Sequence, residues 1–322
     1  MMRDMADGLP RIDDRWILAR RGPRHAVDPK RPYACLIEPE CQTNGTIEDV
    51  ATIFITNKAC PFRCLMCDLW KHTTEGRVAV GDVVEQIRFA LGELPPAPHV
   101  KLYNAGNFFD GQAIPAEDIS RISELVRRHK TVIIECHPKL VDRRCVEFAG
   151  ILDGRLEVAM GLETIDPVVL PMLNKRMTLA DYERAARFLI GQGIGVRAFI
   201  LLRAPFQSES EGLAWAKRSI EWAFEICVEC CVVIPTRAGN GAMDELLAGG
   251  HFSPPSLESL EAALVHGLSL RRGRVFADLW DAERFAGSAD DVERIVRIGR
   301  MNFSQRIEMA GAAARGSGVP PV

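Results

Sequence analysis

From residue 51 onward the sequence alternates between strand-like and helix-like segments, and this alternation is the strongest constraint on the fold. Alternation at this spacing favours a parallel sheet with right-handed crossovers. Six such units predict an α/β fold, an open, partial (β/α)6 barrel with its chemistry at the C-terminal ends of the strands. The six strand-like segments are 51–56, 100–103, 131–135, 156–160, 196–202 and 228–234, and a further candidate is 274–277.

The chain is expected to have three regions. Residues 1–50 contain five prolines and a small basic cluster, and we expect an N-terminal arm there. Residues 51–240 form the barrel core, and 241–322 a C-terminal helical extension. Its last residues, 311–322, are rich in Gly, Ala, Ser and Pro and predict a flexible tail.

Three cysteines follow the first of these strands directly. Cys60, Cys64 and Cys67 form a CxxxCxxC run. Three thiolates on one loop indicate a metal or iron–sulfur site, and in a cubane of four irons three protein ligands leave one iron open to a small molecule. The alternative is a zinc site in which His72 completes the ligand set. It would make the protein a zinc-stabilised, non-catalytic binding protein on the same fold.

The cysteine spacing resembles that of the radical S-adenosylmethionine (SAM) superfamily. The stretches YNAGNFFD, VIIECHPK, MGLET, LNKRMTLADYERAA and FILLRAPF are similar to the branch with the archaeosine synthase radical SAM subunit and the elongator catalytic subunit. The resemblance implies a 4Fe–4S cluster on the three cysteines, with SAM bound to its open iron. An electron passed to the sulfonium would release a 5′-deoxyadenosyl radical, which abstracts hydrogen from a substrate that the sequence does not identify.

The resemblance also implies which side chains contact SAM. A Gly-Gly-Glu-like stretch that receives the SAM amino group corresponds to residues 104–106. Glu135 stands where an acid faces SAM, Glu163 at a ribose-contacting position and Lys175 near the SAM carboxylate. Met66 replaces the usual aromatic residue and is apolar enough to lie against the adenine. The expected cofactor-binding residues are Met66, Asn104, Ala105, Gly106, Glu135, Glu163 and Lys175.

Three further residues are candidates for contact with the substrate. His137 follows the third strand and could act as an acid or base, although a structural histidine is the alternative. Arg203 lies in a turn similar to one in the archaeosine synthase subunit. Arg237 follows the sixth strand and could hold an anion, although a plain loop is the alternative.

A second group of cysteines, Cys227, Cys230 and Cys231, is interpreted as small buried hydrophobes rather than ligands of an auxiliary cluster.

Composition restricts the compartment and the partners. Ten cysteines, no apolar run long enough to span a membrane and a polar N-terminus predict a cytoplasmic protein with reduced thiols. A net charge of −3 offers no global attraction for nucleic acid. By the resemblance, the partners are an electron donor such as flavodoxin or ferredoxin and a substrate that is either a small molecule or a modified nucleoside in tRNA.

Overall fold

The sheet of this protein has eight strands, hydrogen-bonded in the order in which they occur along the chain. The computed structural model describes residues 11–308, so the predicted flexible tail lies outside the described residues. β1 pairs with β2 in antiparallel register, and β2 to β8 run parallel in an open half-barrel. The strands are β1 (Ala34–Cys41), β2 (Ile47–Ile55), β3 (His99–Asn104), β4 (Thr131–Glu135), β5 (Arg155–Glu163), β6 (Gly195–Leu202), β7 (Cys230–Pro235) and β8 (Arg274–Ala277).

One short α-helix precedes these strands, and the others lie between and after them. Thr178 and Asp181 form a capping box at the start of one of them, which fixes where that helix begins. Within residues 11–308, no helix combines the length and the apolar composition that crossing a bilayer requires. The helices are α1 (Asp14–Leu18), α2 (Asp82–Glu93), α3 (Ala116–Val126), α4 (Arg143–Ala149), α5 (Val169–Met172), α6 (Leu179–Gly191), α7 (Glu209–Glu225), α8 (Ala242–Ala248), α9 (Leu257–Leu270) and α10 (Ala289–Ser304).

The predicted partial barrel is confirmed, with all six expected parallel strands and the candidate at 274–277 as β8. β1 was not predicted. Its proline and its alternating glutamates resemble an exposed arm, yet it is hydrogen-bonded to β2 along its whole length. The division of the chain into arm, core and extension remains a prediction. The described part of residues 1–50 contributes α1 and β1 to the fold.

The floor of the barrel is a buried network of ion pairs. On β3, Lys101 lies 2.7 Å from Glu40 of β1. Arg197 of β6 joins Glu40 to Glu157 of β5, and Arg274 of β8 lies 2.7 Å from Glu157. All five side chains are buried. Burial alone would raise the pKa of Glu40, but Arg197 and Lys101 outweigh it and hold that pKa well below its usual range.

Above this floor the lumen of the barrel is open. Side chains two residues apart on a strand share a face, so Tyr103 and Phe199 face the lumen as Lys101 and Arg197 do. Both are only half-buried, whereas the residues of the floor are buried. Phe54, the register partner of Tyr103, is also half-buried. The aromatic rings therefore form a wall that is accessible from the mouth of the barrel.

Candidate functional site

The three cysteines lie on the loop that leaves the sheet at the C-terminal end of β2. Each thiol is half-buried and close enough to the others for their charges to interact. Burial raises the pKa of Cys60 to about 11, and it raises the pKa values of Cys64 and Cys67 to about 12. Thiolates in such a place need a positively charged partner such as a metal. The loop therefore brings together the donors that a cluster site requires.

The loop after β3 touches the first cysteine directly. Gly106 has a φ of +123°, and a Cβ placed on it would lie 2.5 Å from the Cβ and 2.7 Å from the Sγ of Cys60. The next residue, Asn107, donates from Nδ2 to the same Sγ at 3.5 Å. Only glycine leaves room for this approach, and Asn107 adds a hydrogen bond to the sulfur. No feature of the sequence identified Asn107 as a neighbour of Cys60.

The donor set fits a multi-iron cluster better than a single zinc ion. Within residues 11–308, no three Cys, His, Asp or Glu side chains converge tightly enough to hold one metal ion. His72, the fourth ligand of the zinc alternative, instead stacks on Tyr33 with ring centroids 4.5 Å apart. A tetrahedral zinc needs all four ligands within about 2.3 Å of one point. In a cubane each thiolate binds a different iron, so the cysteines need not converge.

Glu163 and Lys175, both expected at SAM, form a buried ion pair with each other. The Lys175 ammonium contacts the Glu163 carboxylate, and only 8% of each side chain is exposed. Burial opposes the charge on Lys175, but Glu163 and Cys64 outweigh it and raise its pKa. A Cβ on Gly161 would overlap both charged groups, so this glycine makes the pair possible. The pair places a cation beside the cysteine loop.

Asn104 and Glu135, also expected at SAM, are a buried amide and a half-buried carboxyl group. The Asn104 side chain is 1% exposed, and neither of its amide atoms has a hydrogen-bond partner in the described part of the chain. Glu135 forms no ion pair among residues 11–308, and burial raises its pKa to about 8. Unpaired buried polar atoms are costly. Asn104 therefore has free hydrogen-bonding capacity for a polar ligand at the end of β3, and Glu135 places a carboxyl group next to it at the end of β4.

The remaining expected cofactor residues lie on the same loops. Ala105 is buried between Asn104 and Gly106, and its N–H donates to Asn57 Oδ1 at 3.2 Å. Met66 is half-buried and packs against a small apolar cluster that includes Leu65. The structure thus brings the expected cofactor residues to one end of the barrel.

His137 connects two of the loops rather than standing free at the mouth. Its ring stacks on Phe62 of the cysteine loop with centroids 3.7 Å apart, and its Nε2 lies 3.0 Å from the Lys175 carbonyl. Its Nδ1 accepts from the N–H of Lys139 at 3.2 Å. Burial lowers the pKa of His137 to about 3, so the ring is neutral. Both ring nitrogens are engaged, which favours the structural interpretation of this histidine.

The two arginine candidates differ in their surroundings. Arg203 is tied to Glu209 at 2.6 Å and to the Pro254 carbonyl at 2.8 Å. Arg237 lies 2.9 Å from Asp278, which directly follows β8. Burial raises the pKa of Asp278 although Arg237 opposes it. Arg237 therefore remains a candidate at the lumen, whereas the contacts of Arg203 tie it to the start of α7.

Sequence analysis did not identify several residues that hold the cysteine loop. Asn240, after β7, donates to the carbonyls of Leu65 at 2.8 Å and Cys67 at 3.1 Å. Asn174 donates to the Arg63 carbonyl at 2.7 Å. Asparagines in loops are ordinary turn residues. Their role is visible only when distant loops are placed together.

Comparison with known proteins agrees with this fold. No protein-family model matches the chain. The crystal structure of methylornithine synthase aligns with a TM-score of 0.53 and 17% identity, covering 78% of this chain and 69% of that one. The fold is thus the partial barrel of the radical SAM type.

Two proteins are similar to this chain in sequence. Archaeosine synthase subunit beta from Thermococcus kodakarensis is 31% identical over 166 residues, which are 49% of this chain and 51% of that protein. An uncharacterised protein from Methanocaldococcus jannaschii is 22% identical over 253 residues, 74% of this chain and 69% of that one. The match therefore spans about half the length of the archaeosine synthase subunit. The predicted resemblance to the archaeosine synthase subunit is confirmed.

Proposed function

We propose that this protein is a radical SAM enzyme that holds a 4Fe–4S cluster on Cys60, Cys64 and Cys67. The observation that carries the proposal is the meeting of three half-buried thiols with the Asn104 amide, which has no partner within residues 11–308, at the open end of the barrel. When bound, the cluster would supply the electron that cleaves SAM into methionine and a 5′-deoxyadenosyl radical. The protein would hold SAM, exclude water and aim the radical at the substrate.

Residues around the loop are assigned roles in binding SAM. Asn104, with the adjacent backbone at 105–106, would receive the SAM amino group, for which its free carbonyl oxygen is suited. Glu135 would add a carboxylate to the same group, since an ammonium partner lowers the cost of its ionisation. Lys175 would face the SAM carboxylate, Glu163 the ribose and Met66 the adenine.

The lumen favours a substrate that contains a flat ring. Phe54 and Tyr103 have ring centroids 6.1 Å apart, as do Tyr103 and Phe199, so the three rings form one continuous wall. Aromatic faces bind planar rings by stacking. Together with the name of the archaeosine synthase relative, this wall supports a modified nucleoside, free or in tRNA, as the substrate. A small metabolite is the second candidate, because the chain is slightly acidic.

The first experiment tests the reaction. After anaerobic reconstitution with iron and sulfide, the full chain is given dithionite and SAM, and 5′-deoxyadenosine is measured by chromatography. We expect product from the wild type, none from Cys64→Ala and an unchanged amount from Cys227→Ala, which removes an exposed cysteine of the discounted group. Uptake of one zinc without iron or sulfide would instead support the non-catalytic binding protein.

A second experiment separates the two substrate classes. A protein that neutralises RNA phosphates binds with an affinity that falls steeply as salt rises. We expect tRNA binding with such a salt dependence. If no such tRNA binding is found, the small metabolite becomes the favoured substrate. A flavodoxin or ferredoxin that replaces dithionite in the first assay would identify the proposed class of electron donor. The cytoplasmic location of the protein stays a prediction.

A further inference from the structure

The segment 20–25, which precedes β1, is fastened to the elements around the cysteine loop. The N–H of His25 donates to the carbonyl of Lys71 at 2.8 Å. Arg20 donates from Nη2 to Glu245 of α8 at 2.6 Å. The segment is thus anchored at both ends, which restricts the backbone between them.

A glycine in the loop after β7 accommodates this segment. Gly241 has a φ of +85°, and a Cβ on it would overlap the carbonyl oxygen of Arg20. Its neighbour Asn240 is the residue that holds the carbonyls of Leu65 and Cys67. The loop after β7 therefore contacts the N-terminal segment on one side and the cysteine loop on the other.

Arg21 reaches from this segment toward the cysteines. Its guanidinium carbon lies 5.0 Å from the centre of the buried ring of Trp70, three residues after Cys67. Its Nε is buried without a hydrogen-bond partner in residues 11–308. Burial lowers the pKa of Arg21, and the nearby thiols of Cys67 and Cys64 act in the opposite direction. A guanidinium remains charged in proteins, so a fixed cation stands beside the cluster site.

We propose that Arg21 acts on the cluster through its positive charge. The guanidinium, held on Trp70 beside Cys67, stabilises the reduced state of the cluster. The inference rests on the proposed function, because it requires a cluster on the three cysteines. A one-electron donor gives one electron to the cluster, so the site becomes one unit more negative while no bond or proton moves. A fixed cation in a partly buried place lowers the free energy of the more negative state.

The test is a redox titration of the reconstituted full chain, followed by the electron paramagnetic resonance signal of the reduced cluster. At the wild-type midpoint potential, Arg21→Gln should lower the ratio of reduced to oxidised cluster about tenfold, a shift of about 59 mV to more negative potential. Arg21→Lys keeps the charge and should restore most of the ratio. The exposed Arg24, on the same segment, supplies the matched control Arg24→Gln, for which a much smaller shift is expected.

Three results would overturn the role of Arg21. They are an unchanged midpoint in Arg21→Gln at full iron content, equal shifts in Arg21→Gln and Arg24→Gln, and the full shift in Arg21→Lys. If the glutamine variant takes up no cluster, Arg21→Met retains apolar packing on Trp70 without the charge and must show the same shift. A wild-type chain without any cluster would contradict the proposed function itself, whereas an intact cluster at an unchanged potential contradicts only Arg21.

Discussion

Gly106 sits where any side chain would collide with the cysteine loop. Its positive φ and its contact with Cys60 require glycine for two independent reasons, backbone conformation and space. The chemistry of the site therefore depends on an absent side chain as much as on the three thiols. The unpartnered Asn104 and the unpaired Glu135 flank the same place.

Gly106→Ala should reduce cluster uptake. The strained backbone costs about 1–3 kcal/mol, and the new methyl group displaces Cys60. Iron and sulfide per chain after anaerobic reconstitution measure the effect. Gly111→Ala is the matched control, because no atom lies within 4 Å of a Cβ built at Gly111 and its φ is not positive. Equal iron content in both variants would contradict the assigned contact.

Glu135 should make stability depend on pH. Burial raises its folded pKa to about 8 from an ordinary 4.5, so the folded chain retains a proton that the unfolded chain releases. The stability due to this group is full below the lower value and falls as pH rises to the higher one. Glu135→Gln should therefore gain urea resistance over wild type, by an amount that grows from about pH 4.5 to about pH 8. The exposed Glu147→Gln on α4 should show no such change.

At the scale of elements, the segment 20–25 is part of the site although it has little regular structure. It is anchored to α8, to the loop after β7 and to the segment that follows the cysteines. Loops fixed at several points are ordered by those contacts rather than by their own hydrogen bonds. Removal of one contact should therefore loosen the whole segment.

Gly241→Ala should release this segment and speed its cleavage in limited proteolysis with trypsin. The new methyl group would overlap the Arg20 carbonyl. Gly250→Ala is the control, since Gly250 also has a positive φ, +73°, but nothing within 4 Å of a built Cβ. Both variants carry the backbone penalty of about 1–2 kcal/mol. Only the first should change the cleavage rate at the arginines of the segment, and equal rates would contradict the proposed docking.

For the molecule as a whole, the buried ion pairs close one end of the barrel and leave the other for chemistry. Five strands contribute charged side chains to the closed end. They are Glu40 of β1, Lys101 of β3, Glu157 of β5, Arg197 of β6 and Arg274 of β8. Burying so many charges is costly unless each has a partner. The floor therefore makes β1 necessary, because Glu40 is shared by all three cations.

Arg197→Met should destabilise the fold by about 3–5 kcal/mol, because it leaves Glu40 and Glu157 buried with less compensation. Urea unfolding measures the difference. The exposed pair of Arg127 and Asp153 supplies the control Arg127→Met, for which no measurable change is expected. A loss below 1 kcal/mol in Arg197→Met would show that water or other side chains compensate the two glutamates.

The parallel strands and the cysteine loop could be predicted because their signals are local. Apolar runs of a few residues identify β2 to β7, and three cysteines within eight residues indicate a cluster loop. β1 could not be predicted, since glutamates that alternate along a strand normally indicate an exposed face. Here they point into the barrel and meet cations from strands far along the chain.

Local pattern was thus sufficient for the order of the parallel strands, for the half-barrel that they form and for the three thiols on one loop. Contacts between residues far apart along the chain are visible only in the folded structure. Arg197 lies 157 positions from Glu40, and Asn240 lies 173 from Cys67. Such pairs leave no trace in spacing or periodicity, because their geometry is set by the packing of whole elements. The docking of Arg21 near the cysteines is of this kind, as is the burial of the Asn104 amide without a hydrogen-bond partner in residues 11–308.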